Sequence, residues 1–236
     1  MIIACIPCYN DHGPIVNVIK EALKHVDRVL VIDDGSTPSL MKTLPLSLLR
    51  NKRLILVRNR NRMGYGFCIK EGLVLGKRFR ARIIVFLDAD GQHNPNEIPK
   101  IVKAILSENI SIAIGNRFLG GSATPPLDRF LIKLISLFLS LLIRRRIGDA
   151  LCGYRAFNII SIKSFKVLNM LSDDMGIALE MLALFNKLGG AIKEIPVKVK
   201  YDEQSKRPLA NKLIQFNQIL VSLIRVRLLG WCGCYK

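Results

Sequence analysis

Apolar residues fall along the chain in two kinds of pattern. Short aliphatic runs at Ile2–Ile6, Val29–Ile32, Leu54–Val57, Ile83–Leu87 and Ile110–Ile114 read as buried strands, and between them Pro14–Val26 and Pro95–Leu106 carry apolar residues at helical spacing. This alternation predicts an α/β fold, a mostly parallel sheet flanked by helices, whose ligands gather at the carboxyl ends of the strands. Polar, acidic and turn-forming residues collect at those ends: Pro7-Cys8-Tyr9-Asn10-Asp11 after the first run, Asp33-Asp34-Gly35-Ser36 after the second, and Asp88-Ala89-Asp90-Gly91-Gln92 after the fourth.

The second half of the chain is patterned differently. Arg129, Lys133, Ser136, Ser140 and Arg144 form one narrow polar stripe on an otherwise apolar helix, and Asn211, Gln215, Gln218, Ser222 and Arg225 repeat the arrangement near the C-terminus. A helix apolar over most of its circumference is ordinarily a core helix. Cations flank both of these, however (Arg144, Arg145 and Arg146; Lys206, Arg207 and Lys212; Arg225 and Arg227), which predicts amphipathic helices, one over 126–146 and one in 207–236, lying in the plane of an anionic membrane. The longest uncharged apolar stretches, 134–143 and 213–224, are shorter than the ~20 residues that span a bilayer. No basic leader precedes the first strand, so the expected location is the cytoplasm, peripherally attached to the cytoplasmic membrane face.

The composition narrows the class. With 236 residues, 50% of them hydrophobic and 23% charged, the chain can bury a real core and is not disordered. The expected organisation is a catalytic domain over 1–206 and a membrane-associating appendage over 207–236. Lys and Arg number 36 against 18 Asp and Glu, a net charge of +18, which calls for an anionic partner. Aromatic residues at 7% and the lack of a nucleic-acid motif argue against nucleic acid, leaving phosphorylated substrates and acidic lipid. Cys5, Cys8, Cys68, Cys152, Cys232 and Cys234 offer no second pair to complete a zinc site and read as reduced, structural thiols.

Three segments carry candidate chemistry. Asp88 and Asp90, two apart at the end of a strand, bring two carboxylates together with the amide of Gln92, an oxygen set suited to Mg²⁺ or Mn²⁺, although Asp-x-Asp-Gly is equally good turn chemistry. Asp33-Asp34-Gly35-Ser36-Thr37 is able to accept hydrogen bonds from a base and ribose, with Ser36 or Thr37 capping the next helix as the plain alternative. Gly64-Tyr65-Gly66 opens a helix, where small residues let backbone N–H groups approach a phosphate.

Taken in order, IPCYND (6–11), VIDDGST (31–37), NRMGYGFCIKEG (61–72), FLDADGQHNP (86–95), GNRF (115–118), DALCGYRAF (149–157), ALEML (178–182) and EIPVKVKYDEQSK (194–206) resemble the family 2 glycosyltransferases of the GT-A fold, and within them the dolichyl- and polyprenyl-phosphate sugar synthases. The resemblance implies an inverting transfer of one sugar from a UDP- or GDP-sugar to a polyprenyl phosphate. It places Pro7, Tyr9, Asp11 and Asp34 on the nucleotide, Asp88, Asp90 and Gln92 on the metal, and Arg117, Arg129, Lys200, Ser205 and Lys206 at the acceptor phosphate, with Asp88, Asp90 and Arg117 as the catalytic set. Asp149 and Arg155 are expected in the site wall, with a helix-end turn and a surface salt bridge as the plain alternatives; Glu180 is expected to be structural. Lys200 stands where the mannose synthases have arginine and Glu203 where they have glycine, and lysine cannot form a bidentate clamp. The DADGQHNP and CGYRAF segments are also similar to members that use UDP-sugars. Processive synthases carry Gln-x-x-Arg-Trp; here Gln204 to Arg207 is followed by Pro208, which excludes polymer synthesis. A glycan or protein acceptor is the alternative, with the apolar helices then serving as core or interface.

Overall fold

The structure, a computed structural model, describes the chain except for residues 109, 163–167, 169, 170, 202–208 and 232–236, and except for the side chains of 209–213 and 228–231. Its strands are β1 (Ile2–Cys8), β2 (Arg28–Asp33), β3 (Leu54–Arg58), β4 (Ile83–Phe86), β5 (Ile112–Asn116), β6 (Arg155–Asn158) and β7 (Ile192–Pro196). The helices are α1 (Ile15–Ala22), α2 (Leu40–Thr43), α3 (Leu46–Leu49), α4 (Tyr65–Arg78), α5 (Ile98–Glu108), α6 (Pro126–Ile143), α7 (Ile177–Lys187) and α8 (Leu209–Trp231).

The five aliphatic runs form strands because each is apolar on both faces, as a sheet covered on both sides requires: Ile3, Ala4, Cys5 and Ile6 of β1, Val29 to Ile32 of β2 and all four residues of β4 are buried. The sheet order is β3-β2-β1-β4-β6-β5-β7. Pairs β1–β2, β2–β3, β1–β4 and β5–β7 are parallel, whereas β6 runs antiparallel to both β4 and β5. Six strands therefore point one way, and the carboxyl ends of β1, β2, β4 and β5 share one edge. The sheet is mixed but mostly parallel, as the alternating pattern predicts.

Helix α1 buries Ile15, Val18, Ile19 and Ala22 at helical spacing but stops four residues before the predicted end. The Arg53 guanidinium explains the stop: it gathers the carbonyls of Leu23, Val26 and Asp27, which would otherwise continue the helix. The predicted 95–106 helix begins as a single 3₁₀ turn, Pro95–Glu97, capped by Asn94, and continues as α5.

The two C-terminal polar stripes divide, their serines turning inward while Arg129, Lys133, Arg144 and Arg225 stay exposed. On α6, Ser136 is buried and its Oγ accepts from Ala150 N at 2.9 Å, while Ser140 Oγ accepts from Ile147 N at 2.9 Å. On α8, Ser222 is buried against α7. The serines face inward, among Ile132, Ile135 and Leu139 of α6 and Ile219 and Val226 of α8, because they satisfy buried polar groups of the 147–150 turn and of α7, and the remaining apolar residues are left outside. Leu127 (60% exposed), Phe130 (63%) and Leu141 (66%) of α6 and Ile224 (62%) of α8 stand in this outer face. Among the described residues, no helix is long and apolar enough to cross a membrane. The expected boundary near 206 lies outside the described residues.

Candidate active site

The edge is drawn together from its loops. Strands β1 and β2 end level, Cys8 beside Asp33, and Asp34 N donates to Cys8 O at 2.8 Å. Asn10, at φ 63°, donates its N–H to Ser36 Oγ (3.0 Å) and accepts from Thr37 N (2.9 Å), which ties the two loops side by side. Asp33 is buried; although burial alone would raise its pKa, hydrogen bonds from Ser36, Leu40 and Arg58 hold it below the usual carboxylate value. Asp33 is thus a loop anchor, and it, not Ser36 or Thr37, holds the start of α2 by accepting from Leu40 N at 3.0 Å.

Asp34 faces the other way. It accepts from Asn59 Nδ2 (3.0 Å), Met63 N (2.8 Å) and Gly64 N (2.9 Å), filling three of the roughly four acceptor positions of a carboxylate. Asp34 thereby fixes the 59–64 loop, and that loop places the Arg62 guanidinium 4.3 Å over the exposed ring of Tyr9. Pro7 and Asp11 are half-buried at the same corner. Sequence reasoning did not single out Arg62; its only signal was its place beside Gly64-Tyr65-Gly66.

The expectation that Gly64 and Gly66 offer N–H groups to a phosphate is corrected. Gly66 N and Phe67 N donate to the Asp173 carbonyl, and Gly64 N to Asp34. A Cβ on Gly64 would lie 2.4 Å from Asp173 O and one on Gly66 would lie 2.5 Å from Ser172 O. These glycines admit a crossing backbone, which already fills the position a phosphate would take.

After β4, Asp88, Asp90 and Gln92 are all partly exposed in one turn, with Asp90 Oδ1 accepting from Gln92 N at 3.0 Å. Gly153 passes so closely that a Cβ there would sit 3.0 Å from both Asp88 carboxylate oxygens. His93 supports the turn from below: its Nδ1 accepts from Asp88 N at 3.1 Å and its ring stacks on Tyr154 with centroids 5.0 Å apart. Burial, with Arg117 adding to it and Asp90 and Asp149 opposing, pushes His93 down to about 4, so the ring is neutral and its Nδ1 is an acceptor. His93 was missed by the sequence reasoning because a lone histidine after a turn carries no signal of burial.

The two carboxylates and the Gln92 amide fit a hard divalent ion in donor type. Among the described residues no group of three or more His, Cys, Asp and Glu is arranged to hold a metal. Mg²⁺ or Mn²⁺ at Asp88 and Asp90 would complete its shell with water and ligand oxygens, the usual arrangement where such an ion serves a phosphate.

The third corner is cationic. Arg117, after β5, donates its backbone N (3.0 Å) and its Nε (2.7 Å) to Asp149 Oδ2, and its Nη1 to Tyr201 Oη (3.0 Å). Burial would lower the guanidinium pKa, but Asp149 beside it raises it further. Asp149 is wholly buried, and its Oδ1 has no hydrogen-bond partner among the described residues. Glu194 positions this carboxylate by accepting from Gly148 N, Asp149 N and Asn116 Nδ2. Asp149 is therefore a buried ion-pair partner and not a helix-end turn. Arg129 and Lys133 of α6 lie 5.8 and 5.6 Å from the Phe118 ring, next to Arg117. Lys200 is exposed, its N–H bound to Gln92 O at 3.0 Å, and Val199 pairs with His93, so the 199–201 segment joins the Asp88 turn to the Arg117 corner. Ser205 and Lys206 lie outside the described residues.

Two further expectations resolve. Arg155 is no surface salt bridge: it is buried and donates to the carbonyls of Ala150, Cys152 and Ala178, at 2.6 to 2.7 Å. Glu180 is structural in placement, buried between α7, α8 and Ser172. Cys5, Cys8, Cys68 and Cys152 are buried free thiols, and burial pushes Cys8 and Cys152 up to about 12, which keeps them unreactive.

The profile described as "Glycosyl transferase family 2" matches residues 3–166. This chain belongs to the family 2 glycosyltransferases. It is similar, 28% identical over 234 residues covering 92% of each chain, to the UDP-N-acetylglucosamine–dolichyl-phosphate N-acetylglucosaminyltransferase of Methanococcus voltae. It is 23% identical over 201 residues, 83% of this chain and 82% of the relative, to the undecaprenyl-phosphate mannosyltransferase of Micrococcus luteus. The glucosyl-3-phosphoglycerate synthase of Mycobacterium tuberculosis, solved with Mn²⁺, UDP and phosphoglyceric acid, shares the fold. Its TM-score is 0.75 at 20% identity, with 96% of this chain and 78% of that one covered. The chain is thus a family 2 glycosyltransferase of GT-A-like architecture.

Proposed function

We propose that this glycosyltransferase moves one sugar, with inversion, from a UDP- or GDP-sugar to dolichyl or polyprenyl phosphate at the cytoplasmic face of a membrane. The observation that carries the reading is the convergence of three features on one side of the molecule: the Asp88–Asp90 turn, the Arg117 corner, and the exposed apolar face of α6 bearing Arg129 and Lys133. Relatives named for dolichyl, undecaprenyl and polyprenol acceptors support the lipid choice, and the Methanococcus voltae relative favours a UDP-linked donor.

In this reading the nucleotide lies across Pro7, Tyr9 and Asp11, with Arg62 closing over Tyr9 and Asp34 offering its remaining acceptor position. Mg²⁺ or Mn²⁺ held by Asp88, Asp90 and Gln92 supplies charge neutralisation on the leaving diphosphate. The attacking group needs no strong base, because a phosphate monoester with a second pKa of about 6 is already largely dianionic at neutral pH. Its oxygen forms the bond to the anomeric carbon as the bond to the nucleoside diphosphate breaks. The task left to the chain is electrostatic: Arg117, Arg129 and Lys200, with Ser205 and Lys206, hold the acceptor phosphate near a second anion. Asp149 keeps the Arg117 fork oriented. Residues 1–206 carry this chemistry, and 207–236 together with 126–146 seat it on anionic lipid, each surface-proximal cation contributing about 1 kcal/mol.

The deciding experiment offers radiolabelled UDP- and GDP-sugars with polyprenyl phosphate and Mg²⁺ or Mn²⁺, and counts label in the organic phase. Transfer with one donor that vanishes in Asp90→Ala supports the reading. Nucleotide binding with no lipid-linked product from any donor overturns the acceptor in favour of a glycan or protein.

A further inference from the structure

We propose that Glu180 is a positioning residue that makes the donor corner depend on helix α8, through hydrogen bonds on either side of the Ser172–Asp173 backbone. The inference rests on the proposed assignment of Tyr9, Asp34 and Arg62 to the donor nucleotide. Glu180 sits on α7 with no exposed surface. A buried carboxylate is costly unless its lone pairs are filled. Here Oε2 accepts from Ser172 N (2.7 Å) and Ser172 Oγ (3.0 Å), and Oε1 accepts from Ser222 Oγ (3.0 Å) of α8, with Arg225 Nη1 of the same helix 3.7 Å away. The carboxylate is therefore fully partnered only when α8 is seated.

The other end of this set reaches the donor corner. From Ser172 the backbone continues directly over the amino terminus of α4, where the Asp173 carbonyl accepts from Gly66 N (2.8 Å) and Phe67 N (3.2 Å). Lys70 clamps the same crossing, its Nζ 2.9 Å from Leu171 O and 2.6 Å from Asp173 Oδ1. Just upstream, Met63 N and Gly64 N bind Asp34 and Arg62 covers Tyr9. Both crossings are tight: a Cβ on Gly176 would lie 1.7 Å from Ser222 Oγ, and a Cβ on Gly66 2.5 Å from Ser172 O. A crossing with no slack transmits displacement rather than absorbing it. Unseating α8 strands the Glu180 charge, frees Ser172 and Asp173, and loosens the turn that holds Arg62 over Tyr9.

The test uses the full chain with Ser222→Ala and Glu180→Gln, and Asn217→Ala on the exposed side of α8 as control. Amide hydrogen exchange at Gly66 and Phe67 is measured without ligand, and the affinity for UDP and GDP with Mn²⁺ by calorimetry. Loss of a hydrogen bond to a charged group predicts exchange roughly tenfold faster at both amides in Ser222→Ala. The nucleotide Kd and the donor KM are expected to rise in parallel at unchanged kcat, with Asn217→Ala leaving all of them at wild-type values. A generally destabilised protein would instead lose kcat and exchange protection throughout the sheet. Exchange at these amides and nucleotide Kd within twofold of wild type in Ser222→Ala overturn the inference. Where Ser222→Ala does not fold, Glu180→Gln is read at the same two amides with the same criterion. Faster exchange in a protein whose wild type binds neither nucleotide upholds the coupling and refutes the donor assignment.

Discussion

The outer face of α6 allows the membrane reading to be tested by arithmetic. Phe130 is 63% exposed and Leu141 66% exposed, so most of each side chain has no partner within the protein. Fully burying a Phe or Leu side chain is worth about 1.5–3 kcal/mol, and with nearly two-thirds of each still uncovered the gain on entering lipid is about 1–2 kcal/mol apiece. Replacing both in Phe130→Ser/Leu141→Ser therefore removes about 2–4 kcal/mol of partition free energy, and at 1.4 kcal/mol per tenfold the vesicle partition coefficient should fall by roughly 30-fold or more. Neither side chain contributes to the core, so thermal stability should stay close to wild type.

The assay is co-sedimentation with vesicles containing phosphatidylglycerol, repeated at two salt concentrations. Salt weakens the contribution of Arg129, Lys133, Arg144 and Arg146, all exposed, and leaves the apolar contribution unchanged. The double variant should therefore lose binding at both salts, whereas Arg144→Gln/Arg146→Gln should lose it mainly at low salt. A partition coefficient within twofold of wild type refutes the reasoning. A wild type that ignores vesicles but runs as a dimer, with a monomeric double variant, shows instead that a second copy covers this face.

Three smaller predictions follow from buried polar groups and close approaches. Ser136→Ala leaves the buried Ala150 N–H without its 2.9 Å acceptor. It should cost about 1–3 kcal/mol, read as a drop in Tm of roughly 2–4 °C per kcal/mol in a chain of this size. Gly66→Ala forces a Cβ to within 2.5 Å of Ser172 O and should lower both Tm and nucleotide affinity, whereas Gly13→Ala, with nothing within 4 Å, should change neither. Asp33, held below its ordinary pKa, stabilises the fold above its unfolded value of about 3.9, and that stability is lost as pH falls through the lowered folded value. Urea unfolding at pH 7 and pH 3 should show wild type losing more stability on acidification than Asp33→Asn, and equal losses would contradict the assignment.

The parallel part of the sheet was legible because β1, β2 and β4 are buried on both faces and so appear as unbroken aliphatic runs. Strands β6 and β7 were not legible: each is four or five residues long and carries charge, Arg155 in one and Lys193 and Glu194 in the other. Arg155 reads as a surface residue in sequence, yet three backbone carbonyls bury it, a solution no periodicity reports. The polar stripes of α6 and α8 were found at the right spacing, but which side of the stripe faces solvent depends on whether buried N–H groups and carboxylates elsewhere need a hydroxyl. Ala150 N and Glu180 need one, and they lie 14 and 42 residues from the serines that serve them. Asp34 was singled out by its place after β2, whereas its three loop partners belong to tertiary structure alone.

The one reversed strand explains why these parts meet. Because β6 runs against β4 and β5, its first residue, Arg155, pairs with Phe86 and Ile114 at their carboxyl ends. The chain entering β6 must then arrive at the same edge as Asp88 and Arg117, and it brings Asp149 to Arg117 and Gly153 against Asp88. A parallel strand in that position would deliver its amino end, with Asp149, to the opposite edge. Helix α6 immediately precedes this segment and is fastened to it by Ser136 and Ser140. The apolar face of α6 is thereby held beside the cationic corner, not at the far end of the sheet. An acceptor whose tail stays in lipid while its phosphate reaches Arg117 requires that adjacency, and a soluble acceptor does not.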